Sequence, residues 1–401
     1  MPVNSVSLVQ TSSIDLEKAK GVLETLQVQV NAGLRYIKIA CTEDGKLNSE
    51  LLDNYQFASY ELAFCVAEIS AAHSFFEYAN RADENAIEHS FSLIFAGEIF
   101  QSVLSRLKSI SVDVQLDAAD IFTLESTDNA KLLLTNCNGG TLAALGSKIA
   151  QDEIVRLPSI LNAEKELVRE TFYRFANDVV APLAEEVHRQ DQDIPEKIIR
   201  AAAELGCFGT CIPERFGGLQ PDDDPDSLGM IVVTEELSRG SLGAAGSLIT
   251  RPEIAARALL AGGTHAQKHK WLPSLANGEM LCAISITEPN TGSDVATVAL
   301  KATPTDGGWI LNGSKTWCTF AGRSELIVVL GRTNPDKSLG YKGLSLFLIE
   351  KPAFAGHSFS HQQNGGGALT GKAIATLGYR GMHSYDLFFE DYFVPAENLV
   401  G

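Results

Sequence analysis

The chain has 401 residues, 45% of them hydrophobic, which suits two or three domains of roughly 100 to 200 residues each. Its net charge is −18 and no basic cluster relieves it, so a nucleic-acid backbone or an anionic membrane surface would be repelled. No apolar stretch reaches the ~18 residues that span a bilayer, and the Ser-rich, acidic start, Met1 to Lys20, has the character of neither a signal nor a transit peptide.

Asp15 is expected as an N-cap. Behind it Leu16, Ala19, Leu23, Leu26, Val30 and Ile37 recur at three-four spacing and predict a helix over 15–39. After the turn Glu43 to Lys46, the same spacing through Tyr55, Leu62, Val66, Ile69 and Phe76 predicts a helix over 52–79. Ile87, Phe91, Ile94 and Leu104 predict a third over 86–107. Shorter helices are expected between Asp117 and Ala150, broken at the turn Asn136-Cys-Asn-Gly-Gly140. Residues 1–155 thus read as an antiparallel helical bundle.

A second helical domain is expected over 156–279, opening near Arg156. Leu167, Phe172, Phe175 and Val179 resume the helical period, and Ile198 to Leu205 carries it to a C′ glycine at Gly206. Further helices are predicted over 231–239, 251–260 and 266–275, and the acidic run Pro221 to Asp226 reads as a solvated connection. Beyond Met280 the period becomes alternating. Val298 to Ala302, Gly308 to Leu311, Glu325 to Arg332, Leu344 to Glu350 and Asp386 to Phe389 predict the strands of a β-domain over 280–401, an antiparallel barrel or sandwich. The fold class is α+β and multidomain.

Seven cysteines, odd in number and without Cys-x-x-Cys spacing, point to unpaired thiols in a reducing, cytoplasmic compartment. No metal site is expected. His265 and His269 stand at i, i+4, but no acid lies between them and Lys268 and Lys270 mark a solvated face. Gly365 to Gly367 lacks the helix and the Lys-Ser/Thr pair of a phosphate loop and reads as a flexible surface loop, and Glu68, Glu77 and Glu98 read as solvent-facing or capping carboxylates.

The run Thr287 to Asp294 (Thr-Glu-Pro-Asn-Thr-Gly-Ser-Asp) offers hydroxyls and bare amides at the end of a strand, and Trp317-Cys-Thr319 follows it. Alone, the run is ordinary turn chemistry. Beside an indole that can wall an aromatic ring, it suits a phosphorylated aromatic cofactor.

From about residue 156 onward the chain resembles the flavin-dependent acyl-CoA dehydrogenases. The resemblance rests on Ile212 to Gly218, Glu235 to Ser238, Gln267 to Pro273, Thr287 to Asp294, Asn312 to Thr319 and Phe389 to Pro395, six motifs in the family's order. It implies FAD as cofactor, with Ile286 and Thr287 at the flavin pyrimidine edge and Ser293 at the pyrophosphate or the acyl-CoA. Trp317 is implied on the isoalloxazine and Thr319 near flavin N5. It also implies α,β-dehydrogenation of an acyl-CoA thioester, a carboxylate taking the α-proton while a hydride leaves the β-carbon, with an electron-transfer flavoprotein as acceptor. An oxidase or monooxygenase on the same scaffold, or a non-catalytic flavin- or acyl-CoA-binding subunit, are the alternative readings.

The family's catalytic Glu and its oligomer contacts lie in a helical bundle expected beyond Gly401, so no catalytic base is assigned here and a homo-oligomer is expected at full length. Members with a helical extension like 1–155 include the methylsuccinyl-CoA dehydrogenases, which Leu377 to Tyr385 and Ser247 to Arg251 also resemble, through Tyr379, Tyr385 and Arg251. That subgroup implies a short branched or dicarboxylic acyl chain, methylsuccinyl-CoA to mesaconyl-CoA. Arg251 is the candidate partner for a terminal carboxylate. Its competing role is an ordinary pair with Glu253 at a helix start.

Overall fold

The structure, a computed structural model, describes residues 13–83, 86–152, 157–223 and 226–401. Arg156, with part of the acidic run at Asp224 and Pro225, lies outside the described residues, as do the first twelve positions. The chain forms two compact units that part between Ile160 and Leu161.

The first unit opens with α1 (Ser13–Ala40), and Asp15, expected as its N-cap, lies inside its first turn. A hairpin of β1 (Thr42–Glu43) and β2 (Lys46–Leu47) turns through Asp44 and Gly45, both at positive φ, the conformation a two-residue hairpin turn requires. Then come α2 (Ser49–Asp53), α3 (Gln56–Ala79), α4 (Ile87–Ile110), α5 (Ala118–Ser126), α6 (Asp128–Asn136) and α7 (Gly139–Gln151). The stripes of α1, α3 and α4 meet in one core built on Leu23, Leu26, Leu62, Ile69, Phe100 and Leu107. Each such side chain contributes about 1.5–3 kcal/mol on burial. Gly97 lets α4 and α6 approach closely, since a Cβ there would stand 2.1 Å from Cys137 Sγ. Glu68 is not simply solvent-facing, because Arg106 binds both it and Glu61.

The second unit begins with α8 (Ala163–Phe175), a π-helical turn over 176–180, α9 (Ala181–Arg189) and α10 (Glu196–Glu204), and Gly206 follows at φ 72° as the predicted left-handed stop. The motif Ile212 to Gly218 is a folded-back loop whose Gly218 carries no Cβ for a spatial reason: one would stand 1.8 Å from Ile212 O. The acidic run is not merely solvated, since Asp222 pairs with Arg215, and Asp226 pairs with Lys165 while capping α11 (Ser227–Ser241). Next are α12 (Thr250–Gly262) and α13 (His265–Ala276), which a Thr264–Gln267 capping box begins. Gln267 then donates to the carbonyls of Glu397 and Leu399, and buried Trp271 donates to Glu350, so α13 is bolted to the sheet that follows. His265 and His269 sit side by side on its exposed face, their rings tilted by 38°.

That sheet contains β3 (Cys282–Ser285), β4 (Lys301–Thr305), β5 (Gly308–Thr319), β6 (Leu326–Arg332), β7 (Leu344–Glu350), β8 (Ser358–Gln362), β9 (Ala368–Ala373), β10 (Ser384–Pro395) and β11 (Leu399–Val400). Its order is β11-β7-β6-β4-β5-β10-β9-β8, with β3 beside β6. The expected antiparallel barrel or sandwich is corrected in two respects. β3 and β4 both pair with β6 in parallel, and the strand order is open, ending at β11 and β8 without closing on itself. The loop and the β4-β5 hairpin lie between β3 and β6 in the chain, a connection long enough for a parallel pair, which a tight hairpin cannot join. Gly365 to Gly367 forms the turn joining β8 to β9, fixed by a Gln363–Gly367 hydrogen bond. Among the described residues no helix is long and apolar enough to cross a membrane.

Candidate cofactor and substrate site

The site is built where β3 ends and the Thr287–Asp294 loop begins. Ile286 and Thr287 leave the sheet half-buried, and Thr316 N of β5 donates to Thr287 O at 2.9 Å. Beside it, Lys315 turns inward. It is 1% exposed, and its ammonium donates to Ile286 O at 2.7 Å and to Glu288 Oε1 at 2.9 Å. Glu288 in turn accepts from the amides of Ala299 and Leu300, both at 2.8 Å, where the loop returns to the sheet. Burial pulls the Lys315 ammonium below the ordinary lysine range, and Glu288 offsets part of that. One buried ion pair therefore closes both ends of the loop.

Inside these ends, Glu288 and Thr291 exchange backbone hydrogen bonds in a tight turn, while Gly292, Ser293 and Asp294 face solvent. A Cβ on Gly292 would meet nothing within 4 Å, so packing does not demand glycine there. The loop and β5 frame a concavity lined by Glu288, Asn290, Thr291, Asp294, Gly313 and Ser314. It presents hydroxyls and backbone to a ligand.

Trp317 stands on the adjoining part of β5 at φ 56°, 56% exposed. Left-handed backbone at a bulky residue inside a strand is a strained arrangement. Its cause is a β-bulge. Tyr385 pairs with Cys318 and Leu387 with Lys315, so Asp386 alone opposes both Thr316 and Trp317. Asp386 Oδ1 accepts from the Thr316 hydroxyl at 2.5 Å and holds the bulge closed. Thr319, at the end of the strand, is buried with its hydroxyl 2.8 Å from that of Ser384.

Arg251 lies in the first turn of α12, half-buried, touching Thr250 Oγ1. The anticipated competitor is elsewhere: Glu253 pairs with Arg257. Among the described residues no carboxylate forms an ion pair with Arg251. Its charge reaches the thiols of Cys282 on β3 and Cys318 on β5. Burial pushes Cys318 up to about 12, and Arg251 acts against that rise. Its helix α12 packs on β3, the strand that leads into Thr287. Of the two aromatic residues in the Leu377–Tyr385 segment, Tyr379 is at positive φ, and Tyr385 is a core residue whose hydroxyl donates to Gly356 O.

Thus Ile286 and Thr287 are bonded to Lys315 and Thr316 of β5, the strand that carries Trp317 and Thr319, Ser293 lies on the exposed arm of the loop, and Arg251 lies on α12, which packs on β3. The sequence motifs contained Glu288, Lys315 and Ser384 but gave them no role. A lysine two residues after Asn312-Gly313 was the available signal, since a charge on a buried strand face needs a partner.

Comparison with known proteins identifies the family. The description "Acyl-CoA dehydrogenase, N-terminal domain" matches residues 162–279, and "Acyl-CoA dehydrogenase, middle domain" matches 283–392. A (2S)-methylsuccinyl-CoA dehydrogenase of Cereibacter sphaeroides is 36% identical over 396 residues, 96% of this chain and 70% of that protein. Among solved structures, a glutaryl-coenzyme A dehydrogenase in complex with glutaryl-CoA is 30% identical, with TM-score 0.53 over 61% of this chain and 58% of the other. PigA, solved with FAD and proline, is 27% identical, with TM-score 0.51 over 61% and 60%. The chain spans about three fifths of each of these solved chains. With the loop, the bulged strand and the flanking helices in the family's order, and a relative aligned along nearly its whole length, this chain belongs to the acyl-CoA dehydrogenase family.

Proposed function

We propose that the chain carries the flavin and acyl-CoA site of an FAD-dependent dehydrogenase acting on a short branched or dicarboxylic acyl-CoA, methylsuccinyl-CoA to mesaconyl-CoA. The observation that carries this reading is Trp317, held exposed and left-handed beside a loop that Lys315 and Glu288 clamp. A flat indole fixed by a bulge, next to uncommitted amides and hydroxyls, fits an aromatic ring with a phosphorylated tail. When bound, FAD supplies the hydride acceptor for the thioester's β-carbon.

The chain's own residues bind and orient. Ile286 and Thr287 offer backbone and hydroxyl to the pyrimidine edge, Ser293 reaches a pyrophosphate or the acyl-CoA, Trp317 walls the ring system, and Thr319 sits at its inner edge. Lys315 holds the Ile286 carbonyl and so sets the height of that edge. Arg251 gives a terminal carboxylate a charge-assisted partner, and the lack of an ion pair to it among the described residues supports that role. Residues 1–155 form a helical extension, 156–279 the helical domain and 280–401 the flavin domain.

An electron-transfer flavoprotein is the partner we infer, in a homo-oligomer, and seven unpaired cysteines favour a cytoplasmic setting. The test is anaerobic addition of methylsuccinyl-CoA to the full-length flavoprotein, which carries the helical bundle expected beyond Gly401. Bleaching of the flavin absorbance supports the proposal, and unchanged absorbance with every short acyl-CoA removes it.

A further inference from the structure

Asp191, His357 and His383 come from three distant stretches of the second unit: the turn after α9, the turn before β8 and the residue preceding β10. Their ligating atoms lie within 4.8 Å of one another. His383 Nε2 is 3.1 Å from Asp191 Oδ1, and His357 Nδ1 is 3.9 Å from Asp191 Oδ2. Metal–ligand bonds of about 2.0–2.1 Å in a tetrahedral site separate the ligating atoms by roughly 3.3–3.4 Å. The His383 separation is close to that value, and the His357 separation, to the other carboxylate oxygen, is longer, so His357 moves inward when an ion binds.

The far side of each ring is held as well. His357 Nε2 lies 2.9 Å from the Asp191 carbonyl, which can only accept, so Nε2 carries the proton and Nδ1 presents its lone pair. His383 Nδ1 faces Asp193 Oδ1 at 3.4 Å without closing a hydrogen bond, and Gly356 N donates to the other Asp193 oxygen at 2.6 Å. A carbonyl behind one imidazole and a carboxylate behind the other is the outer arrangement that orients metal-binding histidines. His383 is 4% exposed, whereas Asp191 and His357 are partly open to solvent, so the cluster has a buried floor and an accessible mouth.

We propose that Asp191, His357 and His383 bind a divalent transition-metal ion of the zinc class, with Asp193 orienting His383 and a fourth position left to water or an external ligand. Binding exchanges the ion for the proton between His383 Nε2 and Asp191, so one proton is released. Arg380, whose Nε is 3.4 Å from Asp191 Oδ1, gives up that oxygen and keeps its bond to His188 O. The consequence reaches the flavin edge. His383 O accepts from Phe320 N, and Ser384 bonds Thr319, so an ion here fixes the backbone that leads into Ser384, the partner of Thr319.

The test is calorimetric titration of the chelator-stripped full chain with zinc near neutral pH, followed by the cobalt(II) absorption spectrum. One equivalent is expected to bind at micromolar or tighter affinity, to raise the melting temperature and to give the visible bands of a nitrogen- and oxygen-ligated ion. His357→Ala, at an exposed position, and Asp191→Asn should each weaken binding at least tenfold. His269→Ala, in the surface pair with His265, should leave it unchanged. Circular dichroism without metal identifies any variant that fails to fold, and His357→Ala then decides. The proposal is overturned by absence of stoichiometric binding, by unaltered affinity in His357→Ala, or by loss of binding in His269→Ala.

Discussion

Lys315 Nζ and Glu288 Oε1 meet at 2.9 Å, one residue 1% exposed and the other 8%, and between them they join a β-strand to both ends of the loop that faces the cofactor concavity. A buried pair of this kind is satisfied rather than merely attractive, because the carboxylate also takes two amides and the ammonium a carbonyl. Removing one member leaves the other buried and charged.

Lys315→Met should therefore destabilise the protein by about 3–5 kcal/mol. Urea unfolding of the variant checks it. A loss below about 1 kcal/mol would mean that the loop is held by its turn chemistry alone.

The backbone at Trp317 gives a paired prediction. At φ 56° a Cβ is strained, so Trp317→Gly should be more stable than Trp317→Ala by about 1 kcal/mol, although glycine is ordinarily the weaker strand residue. Both should lose flavin affinity. Denaturation midpoints of the two variants measure the difference, and Ala equal to or above Gly would show the strain to be absent.

Arg251→Met should weaken a dicarboxylic acyl-CoA by roughly tenfold to a hundredfold, the worth of a charge-assisted bond of about 1.5–3 kcal/mol. A monocarboxylic acyl-CoA of similar length should be nearly unaffected. Comparing the two dissociation constants in each protein decides it, and equal losses for both ligands would relocate Arg251 to a structural role.

Lys351 predicts a pH dependence. It is buried, donates to the carbonyls of Gly322, Ser324 and Pro352, and burial brings its pKa down to about 8. Between that value and the unfolded value of about 10.4 the unfolded chain binds more protons, so this group makes stability rise with pH across the window. The burial penalty is fully present below pH ~8 and vanishes above ~10.4, at most about 3 kcal/mol. Stability measured across this range in the wild type and Lys351→Met should differ in slope, the variant lacking the rise. Parallel curves would contradict it.

The helices were legible because their cores recur at three-four spacing: Leu62, Ile69 and Phe76 of α3 are buried, as the stripe required. β3, β8 and β9 were not. Cys282-Ala-Ile-Ser285 is short and shows no alternation, and β8 and β9 each offer few apolar positions beside a glycine turn. Parallel pairing of β3 with β6 is a tertiary fact with no local signature. The loop and Trp317 were visible as motifs, but the bulge that aims the indole depends on Asp386 in another strand. His357 and His383 stand 166 and 192 positions from Asp191, a separation that no motif spans.

The central claim is that Trp317 walls a bound flavin. Emission of the bound flavin, with its dissociation constant, measured in the wild-type protein and in Trp317→Ala, tests it most directly. An indole stacked on the ring quenches emission, so the wild type should be dark and the variant brighter, with affinity at least tenfold weaker. Bound flavin of equal emission and equal affinity in the two proteins would contradict it.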